Sequence, residues 1–99
     1  MGVHAVTDDQ LAYLARRIGI ECALRSRGLR KEDAEDLRSY AWEQCLRRAS
    51  RWDASRGRWT TFAVTIARNA ARDGRKWLWR QWERGRATPQ ENEELNGGE

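Results

Sequence analysis

Residues 59–84 read WTTFAVTIARNAARDGRKWLWRQWER, and their periodicity decides the fold. Trp59, Phe62, Ala63, Ile66, Ala67, Ala70 and Trp77 recur at three- and four-residue steps, the spacing that gathers side chains on one face of an α-helix. The period of two that marks a half-buried strand does not occur here. At about 100° per residue, Asn69, Arg72, Lys76 and Trp79 fall on a neighbouring face. Arg68, Arg75 and Trp82 fall opposite the apolar one. Asp73 is nearly in phase with the core, so an ion pair with an Arg is expected, because a buried carboxylate needs a partner. Gly74 weakens the helix by about 1 kcal/mol relative to Ala, which points to a bend or a close helix contact.

Outward from this segment the pattern repeats twice. The stretch Asp53–Arg58 around Gly57 is a break. Before it, Ala34, Leu37, Ala41 and Cys45 form a core stripe flanked by Trp42, Leu46 and Ala49, in a helix that begins around Glu32–Asp33. Acidic residues crowd its N-terminus, where the helix dipole favours them. Asp36, Tyr40, Glu43 and Arg47 share another face of this helix, open to solvent or to a partner. A second break lies at Gly28. Ahead of it, Thr7-Asp8-Asp9-Gln10 fits a capping box, and Leu11, Leu14, Ala15, Ile18 and Cys22 make one apolar stripe ending near Arg27-Gly28. The class is all-α, a small bundle of three to four helices. Residues 1–7 read as a tail and 8–86 as the domain. Residues 87–99 hold four Glu and one large apolar residue, Leu95, and read as an acidic disordered tail.

Ninety-nine residues with a mean hydropathy of −0.95 allow one domain and no membrane span. The first residues lack a basic segment followed by an apolar one, so a cytoplasmic protein is expected. Two Cys, Cys22 and Cys45, are too few for a disulfide scaffold, and a single His, His4, gives no zinc-ligand spacing. No metal site, cofactor or catalytic set is expected: Ser39, Ser50, Cys22 and Cys45 lack a nearby His base. The net charge of +4 is unevenly spread. Residues 1–50 carry nine basic and eight acidic groups, residues 51–86 ten basic and three acidic, and residues 87–99 four acidic and no basic ones. Five of six Trp (Trp52, Trp59, Trp77, Trp79 and Trp82) sit in the cationic middle segment. Cations neutralise phosphates while flat rings stack on unpaired bases, so the segment suits nucleic acid. A solvated helix with Trp in its core is the plain alternative.

Asp33-Ala34-Glu35-Asp36-Leu37, then Trp42, Arg51-Trp52-Asp53, Gly57, Trp59-Thr60-Thr61-Phe62 and Ile66-Ala67-Arg68-Asn69 with Asp73 four residues on, form a familiar progression. It resembles the core of region two of bacterial sigma factors, closest to the extracytoplasmic-function group, over about residues 10–84. The resemblance implies a helical bundle with two tasks. One helix binds the clamp coiled coil of the largest subunit of RNA polymerase core, which assigns Asp33, Asp36, Leu37, Tyr40, Glu43 and Arg47 to that contact. The other, with the loop before it, opens the −10 promoter element and holds the single-stranded non-template strand. Its implied DNA contacts are Trp52, Arg56 and Arg58 in the loop, and Asn69, Arg72, Arg75, Lys76, Trp79 and Arg80 on the helix. Arg38, Ser39 and Tyr40 stand where the family has a small apolar residue, Gln and Glu. Arg58 stands at the cap of the last helix, where Ser is frequent, and a guanidinium cannot accept the capping bond. Sigma factors of this group also carry region four, which nothing after Glu99 supplies, so the chain is expected to be either an excised domain or a stand-alone region-two protein with a region-four-bearing partner; an anti-sigma factor is a further implied partner. Two other readings stay open: a DNA-binding regulator without polymerase contact, and a protein-interaction decoy for an anti-sigma factor or polymerase.

Overall fold

The computed structural model describes residues 6–87; the expected acidic tail, apart from Ala87, and His4 lie outside them. Three helices, α1 (Asp8–Arg25), α2 (Lys31–Ala49) and α3 (Trp59–Ala87), make up the fold, with one 3-10 turn at Ala54–Arg56. No strand occurs among the described residues, and none of their helices is long and apolar enough to cross a membrane.

The ends of the helices follow from local chemistry. Thr7 Oγ1 accepts from the Gln10 amide at 3.1 Å while Gln10 Oε1 accepts from the Thr7 amide at 3.0 Å, closing the capping box. At the other end α1 stops at Arg25, ahead of the expected Arg27-Gly28. Ser26 ends it early: its hydroxyl donates to Cys22 O at 2.6 Å and its amide to Ala23 O at 3.3 Å. Gly28, at φ 81°, then occupies the third position of a turn closed by the Leu29 amide on Ser26 O, a conformation that disfavours any Cβ. Helix α2 starts at Lys31, with Glu32 and Asp33 in its first turn and Arg47 and Arg48 in its last, each complementing the dipole. Helix α3 continues three residues past Arg84.

Contacts across the bundle fix its directions. Trp59 Nε1 donates to Gln10 O at 3.2 Å and the Arg75 guanidinium donates to Arg25 O at 2.7 Å, so α1 and α3 run parallel. Cys45 Sγ lies 3.5 Å from Ile66 O, and Leu37 faces Gly74, so α2 runs antiparallel to α3. The core holds Leu14, Ile18 and Cys22 from α1, Leu37, Ala41, Cys45 and Ala49 from α2, and an alanine-rich stripe with Trp59, Ile66 and Leu78 from α3. Small residues on α3 let the neighbouring helices approach closely. The tightest approach is at Gly74, where a Cβ would stand 2.6 Å from Leu37 Cδ1 and 3.1 Å from Tyr40 Cδ1. Close packing, rather than a bend, is thus what the glycine serves.

Several side chains depart from the expected stripes. Ala15 is exposed and Leu11 and Trp77 are half-buried, while Ala71 and Leu78 are buried. The core face of α3 is wider than the single phase suggested, because α1 and α2 cover it from two sides. Glu21 is buried, held by Arg25 at 2.8 Å and Arg17 at 3.3 Å. Asp73 is only half-buried, and no ion pair to it is found among the described residues. Both thiols are interior, and burial pushes Cys45 up to about 12 and raises Cys22 as well, so they remain protonated and unreactive.

Candidate nucleic-acid interface

The loop between α2 and α3 is organised by one carboxylate. Asp53 Oδ1 accepts from the Ser55 amide at 2.9 Å and the Ser55 hydroxyl at 2.7 Å, an Asx-type turn that nucleates the 3-10 segment. Those two donors, the hydroxyl first, hold its carboxyl below the usual range. Gly57 follows at φ 157° and ψ 176°, a backbone region open almost only to glycine. Its carbonyl accepts from Trp52 Nε1 at 3.0 Å, and the Trp52 ring meets Trp59 edge-on with centroids 5.6 Å apart. Trp59 is itself buried and anchored to α1 through Gln10 O. The Trp52 ring is therefore fixed from two sides before any ligand arrives.

These constraints leave an open concavity of about 490 Å³ lined by Trp52, Asp53, Gly57, Thr61 and Phe62 and by the cations Arg51, Arg56 and Arg58. Three guanidinium groups face one carboxylate, which Arg56 approaches only at 3.9 Å. Flat apolar walls with a cationic rim suit a planar, hydrogen-bonding ring attached to a phosphate. The structure thus brings together Trp52, Arg56 and Arg58 of the expected loop set. It adds Arg51, Thr61 and Phe62. Arg51 belongs to the Arg51-Trp52-Asp53 motif, which was the available signal for it, whereas Thr61 and Phe62 enter only because α3 starts beneath the loop.

Along α3 the expected residues divide. Arg72, Lys76, Trp79 and Arg80 are exposed, and Trp79 is 53% exposed, edge-on to Trp82 at 5.9 Å. Lys76, Trp79 and Arg80 line a shallow depression with Arg75 and Glu83. Asn69 is half-buried, and its Oδ1 accepts from the Arg72 guanidinium at 2.6 Å. Arg75 is exposed, and its guanidinium donates to the Arg25 carbonyl at 2.7 Å. Trp82 is half-buried beside Gly28, Arg30 and Asp33, so the turn before α2 explains an aromatic that helical phase alone placed on the outside.

The second expected surface, on α2, is smaller than its residue set. Leu37 is wholly buried and Asp33 is 7% exposed with its Oδ2 held by Arg30 Nε at 3.4 Å. Both are corrected to interior positions: the same stripe that closes the core carries them. Asp36, Glu43 and Arg47 are exposed, the last two paired at 2.9 Å. Tyr40 is half-buried, stacked on Trp77 with centroids 5.2 Å apart. Of the expected set, Asp36, Glu43 and Arg47 are exposed and Tyr40 is half-buried beside them. No group of three His, Cys, Asp or Glu among the described residues is placed to hold a metal ion.

The model of one protein family, described as Sigma-70 region 2, matches residues 8–82 of this chain. No curated protein and no solved structure matches it.

Proposed function

Because the chain belongs to the sigma-70 region 2 family, a family of non-enzymatic transcription-initiation modules, we propose that it docks on RNA polymerase core and captures the non-template strand of the −10 promoter element. The observation that carries this reading is the preformed loop pocket, with the Trp52 ring fixed by Gly57 O and Trp59 and cations at its rim. Unstacking a base costs a few kcal/mol. Stacking on an aromatic returns about 1–3 kcal/mol per base, and a ring already immobilised loses little entropy on binding. Arg51, Arg56 and Arg58 neutralise the phosphates beside the extruded base, and Arg72, Lys76 and Arg80 extend that charge along α3. Trp79 offers a second stacking surface. No covalent bond of DNA changes, so the module needs neither nucleophile nor cofactor. Asp36, Tyr40, Glu43 and Arg47 present a polar helical face to the clamp coiled coil of the largest polymerase subunit. The setting is the cytoplasm, and an anti-sigma factor would supply the control.

Gel filtration of the full chain with polymerase core and a bubble DNA tests this directly, and a ternary complex is the expected result. Protein that binds the DNA but not the core is the stand-alone regulator. Protein that binds the core but not the DNA is the decoy. Either of these overturns the reading.

A further inference from the structure

Two hollows of about 440 Å³ each lie along the outer side of α3 and meet at Arg75 and Lys76, which line both. The hollow at the end of α1 adds Leu24, Arg25, Arg27 and Arg72, with no carboxylate in its lining. The other adds Trp79, Arg80 and Glu83. Together they make one groove in which six cations stand against one carboxylate. Leu24 at 56% and Trp79 at 53% are the most exposed large apolar side chains among the described residues, and both stand in this groove. Gathered like charges repel one another unless an anion lies between them, and exposed apolar surface is left uncovered in water at a cost. The groove therefore fits a segment that joins carboxylates to an aliphatic side chain. A DNA strand meets the charge and the Trp79 ring but brings nothing aliphatic for Leu24.

The chain itself holds such a segment. Residues 87–99 carry four Glu, no basic residue and one large apolar residue, Leu95, directly after Glu93-Glu94. Helix α3 ends at Ala87, and Pro89 cannot continue it. An extended chain covers about 3.3 Å per residue, whereas a helix rises by about 1.5 Å. A chain that reverses at Thr88-Pro89 and runs back along α3 brings Glu93 roughly to the level of residue 78, Glu94 to that of residue 76 and Leu95 to that of residue 74. Those levels match Arg80 and Lys76 for the two carboxylates and, across the groove from Arg72 and Arg75, Leu24 for the leucine. We propose that residues 93–95 dock in this groove, so that the chain covers its own basic face until DNA displaces the segment. Exposed ion pairs are individually weak, but a segment tethered this close has an effective concentration in the millimolar range, and weak pairs suffice. The docking stands on the match of charge and apolar surface; its consequence, that segment and promoter strand exclude one another, rests on the promoter reading above.

Cys22 and Cys45 are buried thiols held protonated, so a nitroxide attached through Asn92→Cys marks the segment alone in the full chain. Without DNA and at low salt, the label is expected to weaken the amide NMR signals of Leu24, Lys76 and Arg80 while those of Glu43 and Arg47, toward the far end of α2, keep their intensity. Glu93→Gln with Glu94→Gln, or salt that cuts the screening length to about 3 Å, is expected to restore the weakened signals. No weakening, or equal weakening at both ends of the bundle, overturns the docking. Weakening in a mixture that carries label and isotope on different copies assigns the groove to a second molecule and overturns it as well. Leu95→Ala changes no charge and is expected to tighten binding of bubble DNA by roughly threefold, because more molecules then have the groove open. Unchanged affinity overturns the covering role. Failure of every variant to bind bubble DNA overturns the promoter reading, and the label then decides the docking by itself.

Discussion

Replacing Gly74 with alanine is expected to destabilise the fold, although the same exchange ordinarily strengthens a helix. The helical preference of Ala over Gly favours the variant by about 1 kcal/mol. Against it stands the new methyl group, 2.6 Å from Leu37 Cδ1 and 3.1 Å from Tyr40 Cδ1. Leu37 is wholly buried and Tyr40 is stacked on Trp77, so neither neighbour moves without disturbing others. Overpacking of this kind costs about 1–3 kcal/mol. The sum is a net loss of about 1 kcal/mol, which lowers Tm by about 4–8 °C in a domain of this size. Gly19 in α1 is the matched control, because a Cβ there meets nothing within 4 Å. Gly19→Ala is expected to raise Tm, by roughly 0.5–1 kcal/mol of stability. The Leu37→Ala change alone costs about 2–5 kcal/mol, but it empties the space that the Gly74→Ala methyl group needs. The double variant is therefore expected to lose less than the two singles together, by about 1 kcal/mol or more. Thermal unfolding followed by circular dichroism reads all four proteins. A rise in Tm for Gly74→Ala comparable to that of Gly19→Ala, or strict additivity with Leu37→Ala, would refute the close contact between α2 and α3.

Three other outcomes follow from the site. Trp59→Ala removes a buried ring that anchors the loop to α1, and by calorimetry is expected to lose about 3–5 kcal/mol of a total near 5–15 kcal/mol; Trp79→Ala, at an exposed ring, is expected to change stability by less than about 0.5 kcal/mol while weakening single-stranded DNA binding. Asp53 is held below its ordinary aspartate value by Ser55, so the loop contact is fully present above the unfolded value and is lost as pH falls through the lower folded one. An NMR titration of the Ser55 amide should show that lower midpoint, and Asp53→Asn should abolish the transition; a midpoint at the ordinary value would contradict the turn. Replacing Glu43 and Arg47 by Ala together removes an exposed pair worth at most about 1 kcal/mol, so Tm stays nearly constant while co-elution with polymerase core weakens. Undiminished co-elution would remove these residues from the docking face.

What the sequence revealed and what it hid differ by range. The Thr7–Gln10 capping box and the three helices depend on neighbours within a few residues or on one helical phase, and periodicity carries that information, whereas Gly74 reads as a bend or a close contact until Leu37 and Tyr40 of α2 decide between them. The family resemblance assigns Leu37 and Asp33 to a partner, although periodicity already puts Leu37 in the core stripe, and the packed bundle leaves both interior. Glu21 looked unremarkable, yet it is buried, because Arg17 and Arg25 bracket it from the adjacent turns of α1. Arg75 reads as one more phosphate ligand along α3. Its bond to Arg25 O spans 50 residues and depends on α1 running parallel to α3, which no local pattern encodes. The loop pocket was legible in part for the same reason: Trp52, Arg56 and Arg58 lie in the break itself, whereas Thr61 and Phe62 line it from the helix below.

The most direct test of the central claim compares binding of the full chain to a bubble DNA and to the fully paired duplex of the same sequence, at one salt concentration. Phosphate charge near the protein is similar in both, so the difference isolates the capture of unpaired bases. With one base stacked in the loop pocket at about 1–3 kcal/mol, the bubble is expected to bind roughly 5- to 150-fold more tightly, and Trp52→Ala to erase most of that margin. Equal affinity for the two DNAs would contradict strand capture and leave a basic helix that binds DNA by charge alone.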